Sequence, residues 1–240
     1  MFGVVTGLTA LVMWLPNVVP GLDGYGQLLV GAMFLLGAVR LARRRPGGME
    51  AYGIDLAGVL NPPDPDDERP AGPLGLYDLG RALAGAAPAA ARETGVALAL
   101  AALIFPPFVV GFYFWHGPTQ PFVLTLPDRF WEFALTQLLV VALPEEAFFR
   151  GYVQTRLSDR WPGGKRWLGA TVDARVLVLQ AILFAIIHFA SIPDPARLAV
   201  FFPGLLFGWL RSWRGGIGAA MLLHALSNVL SELLIKGWLS

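Results

Sequence analysis

No cysteine occurs in the 240 residues. That excludes disulfides, thiolate metal sites, iron–sulfur clusters and a cysteine nucleophile. Histidine is nearly as scarce, with three in the chain, so any chemistry rests on carboxylates, hydroxyls and those three rings. Charge is sparse too: 15% of residues are Asp, Glu, Lys or Arg, where a soluble domain carries about a quarter. The net charge of +1 gives no excess of one sign. No basic stripe dominates any segment, which argues against a nucleic-acid partner. A basic leader with a small-residue cleavage site is also missing, so residues 2–19 read as a retained helix.

What the chain has is apolar surface. Hydrophobic residues fill 55% of positions, and 28 Gly and 19 Pro accompany them, a mixture that membrane helices tolerate better than soluble ones. Spanning the hydrocarbon core takes about 20 helical residues. Suitable runs fall near 2–20, 25–42, 94–115, 130–157, 173–190, 197–212 and 216–236. The expected fold is an all-α, polytopic transmembrane bundle of about seven spans, within a range of six to eight. The chain divides into an N-terminal membrane region, 1–92, and a transmembrane core, 93–240. The first contains two helices and a polar, Pro-rich loop around Asn61-Pro62-Pro63-Asp64-Pro65-Asp66-Asp67-Glu68, where repeated Pro cannot propagate a helix. It ends in an Ala-rich stretch, 77–92, suited to lie along the membrane surface.

Lys and Arg placement sets the expected orientation. Arg40, Arg43, Arg44 and Arg45 follow the second run. Arg156, Arg160, Lys165 and Arg166 follow the fourth, and Arg211 and Arg214 the sixth. With alternating spans these fall on one side, which puts the N-terminus inside. The loops near Asp23, 116–129 and 191–196 are nearly free of Lys and Arg; Arg175 and Lys236 dissent.

Ionisable groups inside apolar runs each cost a few kcal/mol, so they need a partner or a purpose. Three places qualify: Pro144-Glu145-Glu146-Ala147-Phe148-Phe149-Arg150, Phe184-Ala185-Ile186-Ile187-His188 and His224-Ala225-Leu226-Ser227-Asn228. Glu146 and Arg150 are four apart, sharing a helix face in the favourable acid-first order. Glu145 is rotated about 100° from Glu146, so one carboxylate can be neutralised while the other stays available. A salt-bridged pair at the membrane surface is the plainer reading. Pro144 frees the carbonyl of Val140, which a neighbour or a water-accessible pocket must serve; the kink also has a plain packing role. A lone His in an apolar helix is most often hydrogen-bonded to a neighbouring helix, but His224 shares its face with Asn228. His116, beside Gly117-Pro118, reads as structural.

Depth separates a site from tolerated exceptions. At about 1.5 Å per residue, Glu145 lies roughly 18–20 Å from an end near residue 157. His188 lies roughly 22 Å from a start near 173, and His224 and Asn228 roughly 12–18 Å into the last span. Polar groups from three separate helices thus converge near the midplane.

Glu-Glu-x-x-x-Arg at 145–150, Phe-x-x-x-His at 184–188 and His-x-x-x-Asn at 224–228 together resemble the signatures of the CAAX-protease and bacteriocin-processing family. That family comprises polytopic intramembrane endopeptidases, including the type II CAAX prenyl endopeptidases. The likeness covers about 137–236. It implies that Glu145 activates a water, His188 helps hold it, and His224 and Asn228 stabilise the oxyanion. Glu146 and Arg150 would shape the site, with Glu146 able to share the acid–base work. It implies no cofactor, with a zinc ion on Glu145, His188 and His224 as the alternative; no His-Glu-x-x-His helix supports the metal. Partners would be the bilayer and a membrane-anchored protein or peptide substrate, with no nucleic acid. The Ala-, Gly-, Pro- and Arg-rich composition suggests a high-GC bacterium, hence its cytoplasmic membrane, and makes prenylated substrates less expected. Two other readings stay open: a small secondary transporter, which would normally show paired halves, and a non-catalytic membrane scaffold or immunity protein.

Overall fold

The computed structural model describes residues 2–14, 25–59 and 68–239. The expected loop near Asp23 and the acidic Pro-rich run from Asn61 to Asp67 fall outside these residues. Ten α-helices are described: α1 (Phe2–Trp14), α2 (Gly26–Arg43), α3 (Gly48–Ala51), α4 (Leu76–His116), α5 (Phe130–Thr136), α6 (Leu143–Glu146), α7 (Gln154–Arg160), α8 (Ala174–Ser191), α9 (Phe201–Arg214) and α10 (Gly218–Trp238). The architecture is the expected all-α membrane bundle. Among the described residues, four helical segments are long and apolar enough to cross a bilayer: Gly26–Arg43, Pro73–His116, Ala174–Ser191 and Gly218–Trp238. They match four of the seven expected runs. Of the other three, α1 covers 13 described residues and α9 covers 14, and the third is a composite helix.

The Ala-rich stretch does not form a separate surface helix. It continues through Pro88 into the next run as α4, 41 residues long. At about 1.5 Å per residue that is roughly 60 Å, twice the hydrocarbon thickness, so part of it must leave the hydrocarbon core. The helix stops at Gly117, whose left-handed φ of 54° and N–H bond to the Tyr113 carbonyl form a glycine C-cap. Against α4 packs α10, through small residues: Ala97, Ala219 and Ala220 are fully buried. Lipid is as apolar as Leu, so close approach at small residues is what favours helix–helix contact here.

The composite helix runs from 130 to 160. Between α5 and α6 lies a π-helical stretch, Gln137–Ala142, and between α6 and α7 a second, Ala147–Val153. Pro144 sits between them. Its missing N–H and its ring oppose regular α bonding. Correspondingly, the Leu143 N–H reaches five residues back, to the Leu138 carbonyl. The Val140 carbonyl that Pro144 disturbs lies against Gly31 of α2, where a Cβ would come 2.5 Å from that oxygen. Close packing by a glycine is therefore what covers the kink.

Two apolar cores flank this helix. One joins α2, residues 49–54 and the composite helix: Phe34 stacks on Phe148 at 5.0 Å, and Tyr52 on Tyr152 at 5.7 Å. The other joins α4, α9 and α10 around Phe207, Leu210 and Leu223. One small departure from all-α is a hairpin between α7 and α8, with β1 (Lys165–Trp167) antiparallel to β2 (Ala170–Val172). Its two-residue loop, Leu168-Gly169, has positive φ at both positions, as a type I′ turn requires. Asp173 then caps α8, accepting the Arg175 N–H at 2.8 Å. The Arg175 side chain holds its carboxyl down at about 2.

Candidate active site

The composite helix, α8 and α10 bring three polar groups to one point. Glu146 and Arg150 are both fully buried, and their Oε1–Nη1 separation is 3.0 Å. This is the i, i+4 pair expected from spacing, and it lies in the interior of the protein. The guanidinium also donates to the Gly204 carbonyl at 3.4 Å. It lies over the Phe184 and Phe207 rings at 4.1 and 5.2 Å. Those faces add cation–π attraction where water cannot reach.

Glu146 Oε1 has a second neighbour, His224 Nδ1 at 2.9 Å. A carboxylate paired with Arg only accepts, so Nδ1 carries the proton. Phe207 stacks on the same ring at 5.1 Å and 20°. The ring is therefore held in plane and in orientation, with Nε2 turned toward Glu145. On α8, His188 Nδ1 lies 2.9 Å from the Phe184 carbonyl. That carbonyl can only accept, so Nδ1 is again the protonated nitrogen and Nε2 the free one.

Both Nε2 atoms face one oxygen. Glu145 Oε2 lies 3.7 Å from His188 Nε2 and 3.8 Å from His224 Nε2. These distances exceed hydrogen-bond length, and the oxygen is buried without a hydrogen-bond partner among the described residues. The divergence of the two carboxylates thus holds: Glu146 is locked by Arg150 and His224, while Glu145 faces open space. That space is a cavity of about 740 Å³ whose wall includes Glu145, His188, His224 and Asn228 among mostly apolar neighbours such as Phe34 and Phe133. Small-molecule and peptide sites commonly have this size and lining.

Asn228 lies one turn beyond His224 on that wall, as its spacing required. Its Nδ2 donates to Gln137 Oε1 at 3.0 Å. Gln137 was not singled out from sequence, nor were Gln154 and Gln180. Gln180 Nε2 donates to the Gly204 carbonyl and Gln154 Nε2 to the Gly208 carbonyl, each at 2.8 Å. The signal that finds them is the one that found the histidines: a polar side chain inside an apolar run. His116 stands apart, at the end of α4 with its ring 4.2 Å from Phe112.

Glu145, His188 and His224 supply the donor types of a catalytic zinc site. Their 3.7 and 3.8 Å separations are wider than the roughly 3.3 Å edge of a zinc tetrahedron with bonds of about 2.0 Å. Among the described residues no group of three such side chains is arranged to hold a metal ion.

Fold and site together define an integral membrane protein of helical bundle type with an acid–histidine centre opening on an apolar cavity. Residues 127–230 match the family model of the type II CAAX prenyl endopeptidases, Rce1-like. This segment is less than half of the chain, but it contains all three signature motifs. It is the family that those motifs resemble, and the match indicates an intramembrane protease, a class that acts on membrane-anchored proteins. Neither the curated proteins nor the solved structures give a match.

Proposed function

We propose that this protein is a metal-free, glutamate-dependent intramembrane endopeptidase that hydrolyses a peptide bond of a membrane-anchored protein or peptide. The observation that supports it most is the convergence of two imidazole Nε2 atoms on an unpartnered carboxylate oxygen. A water in the gap would give one proton to Glu145 Oε2 and the other, as a hydrogen bond, to His188 Nε2. Its lone pair is then directed at the scissile carbonyl. Glu145 removes the proton as the carbon–oxygen bond forms, and later returns it to the leaving amine, so the carboxylate is regenerated.

The oxyanion needs donors positioned before it forms. His224 serves as one when both ring nitrogens carry a proton, Nδ1 held by Glu146 and Nε2 aimed at the oxyanion. The second donor is the Asn228 amide. Glu146 and Arg150 act on the ring of His224 and not on the substrate. The surrounding membrane is assigned as a bacterial cytoplasmic membrane from the Ala-, Gly-, Pro- and Arg-rich composition, with the N-terminus inside from the distribution of Arg and Lys.

The test is cleavage in reconstituted membranes by wild type and Glu145→Gln, each with and without a strong chelator. The substrate would come from proteomic comparison of cells with and without the gene. Loss of activity by about a thousandfold or more in Glu145→Gln, with wild type indifferent to chelator, is the expected result. Chelator-sensitive cleavage restored by zinc would move Glu145, His188 and His224 into a metal shell. If Glu145→Gln cuts as fast as wild type, the assignment fails and the cluster belongs to transport or structure.

A further inference from the structure

One amide on the cavity wall has no part in the chemistry above. Gln137 opens the first π-helical stretch and lines the same cavity as Glu145 and Asn228. Its Oε1 accepts from Asn228 Nδ2 at 3.0 Å, across from the composite helix to α10. Neither serine beside Asn228 on α10 competes for that amide. Ser227 donates back to the Leu223 carbonyl at 2.7 Å, and Ser231 to the Ser227 carbonyl at 2.9 Å.

A free Asn amide is a poor oxyanion donor. Rotation about its last side-chain bond exchanges an NH2 for a carbonyl of the same size, and that torsion is broad and two-fold. Half of the orientations would present an oxygen to the developing negative charge and repel it. Donor strength in such sites comes from orientation fixed before reaction, so something must choose the amide's orientation. Among the described residues, the side chain that hydrogen-bonds Asn228 is Gln137.

We propose that Gln137 is a positioning residue: its carbonyl oxygen takes one N–H of Asn228 Nδ2 and leaves the other to the oxyanion. The inference rests on Asn228 being an oxyanion donor, and it adds a residue from the composite helix to that function. It also gives the first π-helical stretch a chemical consequence, since this stretch carries Gln137 and leads to Glu145.

The experiment measures kcat and KM in reconstituted membranes for Gln137→Met, Gln137→Glu, Asn228→Ala and the Gln137→Met/Asn228→Ala pair, with thermal unfolding of each. Methionine keeps the volume and removes the acceptor; glutamate keeps the acceptor. Gln137→Met is expected to lower kcat by about 10- to 100-fold, with KM changed less than about twofold. Gln137→Glu should restore most of that loss, and Gln137→Met should have no further effect in the Asn228→Ala background. The proposal is overturned if Gln137→Met keeps wild-type kcat, or if its loss persists in full on top of Asn228→Ala. It is equally overturned if the loss follows a fall in unfolding temperature that glutamate does not rescue. A fully active Asn228→Ala would remove the oxyanion reading itself. An impaired Asn228→Ala beside a normal Gln137→Met removes only the positioning role.

Discussion

Replacing Arg150 by Met tests whether the buried ion pair serves stability or chemistry. At 3.0 Å the coulombic attraction is about 5–6 kcal/mol for an effective dielectric near 20, and desolvation of two charges offsets much of it. What the single substitution exposes is different: Glu146 stays fully buried and loses its cation, a situation that costs about 3–5 kcal/mol. Glu146 keeps His224 Nδ1 at 2.9 Å, which places the expected loss at the lower end, about 3 kcal/mol. The cation–π contacts to Phe184 and Phe207 add about 2 kcal/mol, since they are desolvated. The double replacement Glu146→Gln/Arg150→Met leaves no unpaired charge, so it should recover most of that stability. Its activity should stay about 100-fold down, because the Glu146 carboxylate no longer orients the His224 ring through Nδ1. Unfolding temperature in detergent and cleavage rate in liposomes read the two effects separately. If the double variant is as unstable as Arg150→Met, the cost was never an unpaired charge. If it cuts like wild type, Glu146 does not act through His224.

Two further substitutions probe the scaffold around Pro144. Gly31→Ala should destabilise the protein by about 1–3 kcal/mol and slow cleavage, because the new Cβ would sit 2.5 Å from the Val140 carbonyl and push the kink that carries Glu145. An unchanged unfolding temperature in that variant would mean that α2 can retreat freely. Gly151→Ala would drive a methyl into Ile54 Cγ2, with a similar cost of about 1–3 kcal/mol. Adding Ile54→Ala should return part of the stability; a purely additive double variant would show that the two side chains do not meet.

Much of the site could be read before any coordinates. The i, i+4 step from Glu146 to Arg150 and the rotation separating Glu145 from Glu146 are properties of a helix, and both survive in the folded protein. The common wall of His224 and Asn228 follows in the same way. What could not be read is who meets whom across helices. Nothing in the spacing says that Glu146 Oε1 serves both Arg150 and His224, because that contact joins residues 78 apart in sequence. Gln137 carries neither charge nor ring and so stands out less in an apolar run, although an amide in hydrocarbon also demands a partner. The hairpin at 165–172 escaped because three-residue strands are too short for alternation to register. The Ala-rich stretch 77–92 and the run 94–115 read as two pieces because Arg92 and Glu93 separate them, whereas one continuous helix passes through both.

The π-helical stretches are the feature that joins these observations. In a straight α-helix, Gln137 and Glu145 are eight residues apart and so point about 80° away from each other. A π turn spaces its bonds five residues apart and absorbs one extra residue. Removing that residue's roughly 100° from the count leaves the two side chains within about 20° of one line. Both do face the cavity. The same distortion that accommodates Pro144 therefore aligns the carboxylate facing the two histidines with the amide that contacts Asn228. A regular helix of identical composition would leave the two side chains about 80° apart, and hydropathy alone would not register the difference.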